Sequence, residues 1–451
     1  MTELAEVLDN TQPYAILTGH ALDVLKTIPD ESVHMAWTSP PYWGLRDYGL
    51  EPQVWGGEEC RHQWGRSIPG GAKGGSGTPT DKNNRGEGYG RGVMRGNFCE
   101  HCGAWRGALG LEPTPELYVH HLVEIFREVR RVLRPDGTVW LNLGDCYASQ
   151  GGPEPPQTKW AIDGASNTMN AGRSRKTPVG LKPKDLVGVP WMTAFALRND
   201  GWWLRSGIVW EKPNALPSSV HDRPTMSHEF VFLLTNNATY FYDQDAIREP
   251  HTTPITLTKK DKPARVKTAK NPSSRRLAPE PGEPNAFHPL GRNKRTVWTI
   301  PTHPFPEAHF AVAPEKLIEP AILAGTSGVG YCAECGSPWK RVVKRDPIPE
   351  EAYLHRPKMQ PGNNSETSAL KIPGARRHMI PPLLNAGWTA TCQCGVEAVP
   401  GIVLDPFAGA GTVGVVAIRH GRRFIGIDLG PEYVKMATKR IEQTRSQVVL
   451  F

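Results

Sequence analysis

The apolar residues near the amino terminus come in short runs that are separated by polar turns. Tyr14–Leu17 and Val33–Trp37 have the composition of strands, and Ala21–Leu25 has the pattern of a short helix. The apolar composition predicts that the second strand is buried, and this strand ends directly before Ser39-Pro40-Pro41-Tyr42. Because open α/β sheets bind ligands beyond the carboxyl ends of their strands, this tetrapeptide is a candidate site.

A longer helix is predicted to begin at residue 115. Thr114 is a suitable N-cap, and Pro115 suits the first helical position. Apolar residues then recur at helical spacing, at Leu122, Phe126, Val129 and Leu133. The segment 137–144 follows as a strand. This alternation of strand, helix and strand is the unit from which parallel sheets are built.

The remaining regular segments extend the same alternation. Segments 204–210 and 229–234 have the composition of strands. The carboxyl-terminal part has strands at 402–405 and 423–428, with helices at 411–420 and 431–445. The pattern as a whole therefore predicts an α/β fold.

Three stretches interrupt this pattern with polar residues. Residues 56–107 form a predicted insertion that is rich in glycine from Gly65 to Gly96, and residues 151–184 form a second polar loop. The stretch from His251 to Arg295 holds eleven lysines and arginines against three acidic residues. We expect it to contact a polyanion, although such a run is equally typical of a solvated loop.

Composition narrows the functional classes. The 451 residues carry a net charge of +8, which favours a polyanionic partner. No run approaches the roughly 18 apolar residues that a membrane span needs, and the acidic start lacks the core of a signal peptide. We therefore expect a cytoplasmic protein without a membrane partner, in which cysteines serve as metal ligands more often than in disulfides.

Seven of the eight cysteines fall into two clusters with the spacing of metal ligands. Closed sets of four such ligands are typical of structural zinc, so we predict two zinc sites. In the first set, His101 is an alternative to His62, and Cys146 lies outside both sets. The first set is Cys60, His62, Cys99 and Cys102, and the second is Cys332, Cys335, Cys392 and Cys394.

A glycine-rich turn between a strand and a helix marks a nucleotide site near the carboxyl terminus. Gly409, Gly411 and Gly414 follow the G-x-G-x-x-G pattern, and Asp428 ends the next strand. An acid at that place can accept hydrogen bonds from ribose hydroxyls. The glycines and Asp428 alone fit a dinucleotide as well as another adenosine-containing cofactor.

Two motifs narrow this choice through a resemblance. Asp405-Pro-Phe407-Ala-Gly409-Ala-Gly411-Thr412 and Ser39-Pro40-Pro41-Tyr42 together resemble the beta class of DNA amino-methyltransferases. The order of the motifs, with the catalytic motif first, also resembles that class. The resemblance implies a Rossmann-like methyltransferase sheet that is circularly permuted, here with two zinc-bound insertions. It further implies methyl transfer from S-adenosylmethionine to an exocyclic nitrogen of a flipped-out DNA base.

The resemblance assigns a role to each motif residue. The Ser39 hydroxyl and the Pro40 carbonyl would accept hydrogen bonds from the substrate amine, Pro41 would stiffen the backbone, and Tyr42 would stack on the base. Serine at position 39 favours N4 of cytosine, while N6 of adenine stays open. The cofactor would be lined by Phe407, Gly409, Gly411 and Thr412, held at its ribose by Asp428, and shaped by Asp405.

Shorter matches complete the resemblance. Ile208–Lys212, Asp222-Arg223 and Ser227–Glu229 resemble segments of the family's pocket wall. His309-Phe310 and Pro314–Leu317 resemble the helix that closes over the methionine end of the cofactor.

The resemblance also predicts the organisation of the chain. Residues 1–250 would form the catalytic half, with an insertion at about 56–107. Residues 251–305 would form the basic target-recognition region. Residues 306–451 would form the cofactor half, with a zinc-ribbon-like insertion at about 329–396. Double-stranded DNA is the expected partner, and a cognate restriction nuclease is possible, whereas the target sequence and oligomeric state are not predicted.

Two other classes remain open at this point. A zinc-containing DNA-binding protein with an inactive methyltransferase core would share both cysteine sets, but the intact Ser39–Tyr42 motif argues against it. An NAD-dependent oxidoreductase would share the glycine turn alone, and it gives no account of Ser39–Tyr42 or the basic region.

Overall fold

The computed structural model describes residues 2–44, 51–65, 97–148, 180–250, 291–302, 312–345 and 383–448. The Gly-rich stretch 66–96, the lysines and arginines from Lys259 to Arg276, and His309-Phe310 lie outside these residues. The chain divides into two compact units. Unit 1 comprises Met1–Tyr242, Thr296–Gly330 and Val399–Phe451, and unit 2 comprises Asp243–Arg295 and Tyr331–Ala398.

The helices and strands are numbered separately in chain order. The helices are α1 (Thr2–Leu8), α2 (Ala21–Leu25), α3 (Pro115–Val132), α4 (Val189–Asn199), α5 (Glu315–Gly325), α6 (Thr412–Arg419) and α7 (Pro431–Val448). The strands are β1 (Tyr14–Thr18), β2 (Val33–Thr38), β3 (Gln53–Trp55), β4 (Trp105–Gly107), β5 (Leu133–Leu143), β6 (Trp203–Glu211), β7 (His228–Thr235), β8 (Val297–Thr299), β9 (Tyr331–Cys332), β10 (Lys340–Arg345), β11 (Leu383–Thr389), β12 (Ala398–Val399), β13 (Ile402–Asp405) and β14 (Arg423–Asp428).

Unit 1 is built on an eight-stranded mixed sheet in the order β1-β14-β13-β2-β5-β7-β6-β8. The strands from β1 to β5 in this order are parallel, and β7 is antiparallel to both β5 and β6. The central strand β2 is buried at all six positions, as its apolar sequence predicts. This arrangement confirms the predicted α/β class, and the antiparallel strand β7 makes the sheet mixed rather than parallel throughout.

The pairing of β13 with β2 decides where the candidate site lies. Val403 pairs with Met35 and Leu404 with Ala36 in a parallel register. Parallel neighbours end at the same edge of a sheet. The segments that follow β2 and β13, which are separated by more than 360 residues of sequence, therefore emerge side by side.

Helix α3 shows how local sequence sets an element boundary. The Thr114 hydroxyl accepts the Leu117 N–H at 3.3 Å, and Pro115 occupies the first turn, as predicted. The following strand begins at Leu133 rather than at residue 137. Leu133 pairs with Val33 ahead of an irregularity in the β2–β5 ladder, so its place in the sheet extends the strand toward the helix.

Helix α4 was not predicted from the apolar pattern. Its N-cap, Gly188, has a left-handed φ of 81°, and the Asp145 carboxylate accepts the N–H groups of Gly188 and Val189. The signal that starts this helix therefore comes from a carboxylate more than forty residues earlier in the sequence. Among the described residues, no helix has both the length and the apolar character that crossing a bilayer requires.

Unit 2 contains the antiparallel pair of β10 and β11. The Arg341 guanidinium lies 4.5 Å over the Trp388 ring, and its Nη2 atom lies 2.9 Å from the Asp243 carboxylate. Unit 2 thus contains Asp243–Arg295, which includes most of the predicted basic region, and Tyr331–Ala398, which includes the second cysteine set.

Candidate active site

The two motifs meet through one buried carboxylate. The Thr38 hydroxyl, at the end of β2, donates to Asp405 Oδ1 at 2.7 Å, and the Phe407 N–H donates to the same oxygen at 3.0 Å. Thr38 is fully buried and Asp405 is 3% exposed. Asp405 thus ties the strand that carries the tetrapeptide to the glycine turn.

The electrostatic setting of Asp405 is unusual for an aspartate. Burial, together with a smaller effect of the Asp428 charge, raises its pKa to about 7, although the hydrogen bonds from Thr38 and Phe407 act in the opposite direction. A carboxyl group that is close to its pKa at neutral pH responds strongly to a nearby cation. Perturbed carboxyls of this kind are typical of functional sites.

The glycine turn is shaped by its tight contacts. Gly409 and Gly411 adopt left-handed φ angles of 49° and 72°. A Cβ atom on Gly411 would lie 2.6 Å from the Ala437 Cβ, so only glycine lets α7 approach the turn this closely. The Arg440 side chain donates to the Thr412 hydroxyl at 3.0 Å, which fixes the first residue of α6.

Asp428 closes the turn from the end of β14. Its two carboxylate oxygens accept the N–H groups of Gly409 and Gly430 at 2.8 and 2.9 Å. Burial raises the pKa of Asp428, and these hydrogen bonds counteract that effect. Asp428 therefore holds the turn in shape, and each oxygen keeps a further lone pair for a ligand.

The tetrapeptide after β2 is held in a polar network. The Ser39 hydroxyl donates to the Tyr42 hydroxyl at 3.1 Å, and the Tyr42 hydroxyl donates to Glu229 Oε2 at 2.8 Å. Asn142 Oδ1 lies 3.1 Å from the same Tyr42 oxygen. The other oxygen of Glu229 forms an ion pair with Lys212.

The backbone of the tetrapeptide is fixed from two sides. The Tyr118 hydroxyl, on α3, donates to the Pro41 carbonyl at 2.8 Å. Gly144 lies against the Tyr42 ring, where a Cβ atom would come within 2.7 Å of the ring carbon Cε2. The Gly44 N–H donates to the Gly110 carbonyl at 2.8 Å. The pocket backbone is therefore held in place by protein contacts.

The sequence motifs account for only part of this network. Lys212 and Glu229 lie in short segments that resemble the family's pocket wall, whereas Asn142 lies in none of the motifs. The signal for Asn142 is a polar residue inside the otherwise apolar end of β5, where it is 1% exposed. Its amide nitrogen donates to Glu229 Oε2 and to the Phe230 carbonyl, both at 3.1 Å.

The first cysteine set comes together in unit 1. The ligand atoms of Cys60, His62, Cys99 and Cys102 lie within 4.8 Å of one another. His101 instead lies 2.9 Å from the Gln63 side chain, so His62 is the histidine that faces the cluster. Burial opposes ionisation of Cys99, but surrounding N–H groups, the Cys102 amide foremost, lower its pKa to about 5.

The second cysteine set comes together in unit 2. The sulfur atoms of Cys332, Cys335, Cys392 and Cys394 also lie within 4.8 Å of one another. Hydrogen bonds from the side chain and backbone of Ser337 lower the pKa of Cys335 to about 6. None of the eight cysteines, all of which lie in the described part of the chain, forms a disulfide. Three thiols with an imidazole, and four thiols, are both donor sets that suit tetrahedral zinc.

A buried aromatic stack leads from the first cysteine set toward the pocket. Trp55 and Trp105, on the paired strands β3 and β4, stack on His121 with ring centroids 4.4 and 5.4 Å away. His121 Nδ1 lies 2.9 Å from Glu112 Oε1, and Glu112 Oε2 accepts the Gly110 N–H at 2.7 Å. Gly110 is the residue whose carbonyl accepts from Gly44.

Known proteins resemble this chain over most of its length. The model of a DNA methylase family, the N6/N4 methyltransferases, matches residues 33–332 and 398–439. The Type II methyltransferase M.XycI of Xanthomonas campestris pv. cyanopsidis is 34% identical over 436 residues, covering 96% of this chain and 89% of the relative. The Type II methyltransferase M.SmaI of Serratia marcescens is 31% identical over 437 residues, covering 97% and 93%.

Solved structures with partial similarity include two methyltransferases. A putative DNA modification methylase of Thermus thermophilus, complexed with S-adenosyl-L-methionine, aligns with a TM-score of 0.40 at 16% identity, covering 96% of this chain and 94% of that one. The cytosine-N4-specific PvuII DNA methyltransferase aligns with a TM-score of 0.44 at 13% identity, covering 97% and 93%. The family match and the long relatives identify the chain: it belongs to the N6/N4 DNA methylase family and is an S-adenosylmethionine-dependent DNA methyltransferase.

Proposed function

We propose that this protein transfers a methyl group from S-adenosylmethionine to N4 of a cytosine that has been flipped out of double-stranded DNA. The observation that carries this proposal is the Thr38–Asp405 hydrogen bond of 2.7 Å, which joins the base motif to the cofactor turn. A methyl donor in the turn and an amine beside Ser39 would then be neighbours. Such positioning is the main requirement for a direct methyl transfer.

The cofactor half of the proposal uses the glycine turn. Phe407, Gly409, Gly411 and Thr412 line the methionine and ribose portions, and Asp428 accepts from the ribose hydroxyls. Asp405 lies between the two motifs with a pKa of about 7, raised by burial. A cationic cofactor favours its ionised form, so cofactor binding would draw Asp405 into the charged state.

The base half of the proposal uses Ser39, Pro40 and Tyr42. The Ser39 proton points to Tyr42 at 3.1 Å, which leaves the Ser39 lone pairs for an amine N–H. The Pro41 carbonyl is engaged by Tyr118, whereas we assign the Pro40 carbonyl to the second amine N–H. Two acceptors draw the nitrogen lone pair out of conjugation with the ring, and the Tyr42 ring stacks on the base.

The choice of cytosine rests on the residue type at position 39. A serine at the start of the tetrapeptide accompanies N4-cytosine methylation in the family that this chain resembles. A hydroxyl accepts equally well from an adenine amine, so N6-methyladenine is the alternative product of the same mechanism. A nuclease of matching specificity is the partner that we expect for a methyltransferase similar to Type II enzymes.

The order of the strands supports the inference that the fold is circularly permuted. The strand of the base motif, β2, precedes the strand of the cofactor motif, β13, and the two pair directly in the sheet. We assign the catalytic half to residues 1–250, the target-recognition region to 251–305 and the cofactor half to 306–451.

Zinc in both cysteine sets completes the proposal. Each set offers four ligand atoms within 4.8 Å of one another, which matches a closed structural site. Metal bound there would hold the two insertions in shape and would take no part in methyl transfer.

The test is mass spectrometry of nucleosides from DNA that has been treated with the protein and S-adenosylmethionine. We expect N4-methylcytosine, and N6-methyladenine would overturn the assigned base while keeping the pocket. Ser39→Ala should lower the methylation rate by about 100-fold, the usual cost of losing one transition-state hydrogen bond, and should leave cofactor affinity unchanged. Ser446→Ala, on the exposed side of α7, is the matched control, and full activity of Ser39→Ala would contradict the pocket.

A further inference from the structure

The hydrogen bonds around Ser39 form a chain with a defined direction. Ser39 Oγ lies 3.1 Å from the Tyr42 hydroxyl oxygen, which lies 2.8 Å from Glu229 Oε2. Each hydroxyl has one proton to give, and an ionised carboxylate can only accept. Two acceptors face the Tyr42 hydroxyl, Glu229 Oε2 at 2.8 Å and Asn142 Oδ1 at 3.1 Å, and we assign its proton to the closer and charged one, Glu229. The Ser39 proton then points to Tyr42. The Ser39 oxygen is left as an acceptor for the substrate.

The neighbouring side chains stabilise this direction of the hydrogen bonds. Lys212 forms an ion pair with one oxygen of Glu229, and the Asn142 amide donates to the other at 3.1 Å. Burial and the neighbouring Glu229 raise the pKa of Tyr42 well above its usual value. Tyr42 is therefore a neutral hydroxyl that accepts from one side and donates to the other.

We propose that the hydrogen-bond chain from Ser39 through Tyr42 carries away the proton that the substrate amine loses, and that Glu229 is the final acceptor of this proton. The inference deepens the proposed function and rests on the assignment of Ser39 to the base pocket. Ser39 and the Tyr42 ring touch the substrate, whereas the Tyr42 hydroxyl and Glu229 act through Ser39.

The step balances in atoms and electrons. The amine lone pair forms a bond to the methyl carbon while the carbon–sulfur bond breaks, and that electron pair stays on sulfur. The methylated nitrogen then carries a positive charge and a surplus proton. This proton moves to Ser39 Oγ as the Ser39 proton moves to Tyr42 and the Tyr42 proton moves to Glu229. The neutral methylamine and a protonated Glu229 are the result.

Glu229 is able to return the proton to water. Its side chain is 16% exposed and that of Lys212 is 19% exposed, so the end of the chain reaches solvent. The antiparallel pairing of β5 with β7 sets this geometry: Leu143 pairs with Phe230, so Glu229 lies beside the end of β5.

Two conservative variants test the hydrogen-bond chain. Tyr42→Phe keeps the ring and removes the hydroxyl, and Glu229→Gln keeps the shape and removes the acceptor. In single-turnover methylation of saturating DNA, each should lower the rate by about 100-fold, the usual contribution of proton transfer. The double variant should be no slower than the slower single variant, because both changes break the same chain. Tyr240→Phe is the matched control and should keep the full rate.

The outcomes separate this inference from the proposed function. If Tyr42→Phe is fully active and Ser39→Ala is inactive, the proton-transfer inference is wrong, but the assignment of Ser39 to the base pocket still holds. If Ser39→Ala is active, the assignment of Ser39 to the base pocket is itself wrong. Multiplying losses in the double variant would also overturn the chain, and if Glu229→Gln does not fold, Tyr42→Phe decides alone.

A solvent deuterium isotope effect gives a readout that a structural role would not move. Each step along the hydrogen-bond chain from Ser39 through Tyr42 to Glu229 moves an exchangeable proton, so the wild-type single-turnover rate should be lower in heavy water than in ordinary water. Tyr42→Phe removes the middle hydroxyl and should lose most of this difference, and an unchanged difference in that variant would contradict the inference.

Discussion

The two cysteine sets have nearly the same chemistry and lie in different parts of the molecule. Each brings four ligand atoms within 4.8 Å of one another. The first lies in unit 1, beside strands whose tryptophans stack on the buried His121. The second lies in unit 2, among hydrogen bonds between its own loops. From this comparison we expect that the consequence of disrupting either set depends on what its residues are attached to.

The first set is connected to the base pocket by a short series of contacts. Gly57 packs against Cys102, where a Cβ atom would lie 2.6 Å from the sulfur. Trp55 and Trp105 enclose His121, which pairs with Glu112, and Glu112 fixes the Gly110 N–H. A Cβ atom on Gly110 would lie 3.1 Å from the Tyr42 carbonyl. We therefore expect a change at the first set to reach the tetrapeptide.

The second set is attached to a different neighbourhood. The Cys332 N–H donates to the Ser337 carbonyl at 2.9 Å, and the Thr391 hydroxyl donates to the Pro338 carbonyl at 2.7 Å. The first bond closes the loop that carries Cys332 and Cys335, and the second joins that loop to the one that carries Cys392 and Cys394. In the same unit, Glu249 is surrounded by three cationic side chains, those of Arg292, Lys294 and Arg295. This unit is therefore a candidate for contact with DNA phosphates.

The largest effect is expected from breaking the first set. Cys99→Ala should lower the methylation rate on saturating DNA by roughly 10- to 100-fold, because the support of the pocket backbone is lost. Metal analysis should show a drop from two zinc ions per chain to one. Cys146→Ala, outside both sets, should change neither. Loss of one zinc with an unchanged rate would contradict the connection between the first set and the pocket.

An intermediate effect is expected from breaking the second set. Cys394→Ala should also remove one zinc ion, but it should weaken DNA affinity by about 10-fold through lost phosphate contacts. The rate at saturating DNA and the affinity for S-adenosylmethionine should stay near wild-type values. Filter binding at two salt concentrations with single-turnover kinetics measures both. A reduced rate with intact DNA affinity would reverse the roles of the two sets.

The smallest effect is expected from weakening the contacts between the first cysteine set and the base pocket while the ligands of both sets stay intact. Glu112→Gln preserves the size of the side chain and weakens its bonds to His121 and Gly110. The rate should fall about 5-fold, equivalent to about 1 kcal/mol, the net value of one hydrogen bond. Both zinc ions should remain. His120→Gln, at the exposed neighbouring position of α3, is the control, and equal losses in the two variants would argue against a specific role for Glu112.

Local sequence predicted the elements whose signals lie in consecutive residues. The strand of β2, the cap and first turn of α3, and the strands and helices around the glycine turn were confirmed. The start of β5 and helix α4 were not predicted, because sheet pairing sets the first and the distant Asp145 caps the second. Long-range contacts of this kind leave no periodic trace.

The sequence by itself determined the family, the α/β class and the residues of both motifs, because a tight turn and a proline-stiffened tetrapeptide are encoded in neighbouring residues. Only the tertiary structure decided that Glu229 ends the hydrogen-bond chain from Ser39, which is 190 residues away, and that His62 rather than His101 faces the first cysteine set. The register of β7 against β5 brings Glu229 to Tyr42, and the competing bond to Gln63 turns His101 away. Both outcomes depend on which distant groups meet in space, and this depends on the packing of the whole sheet.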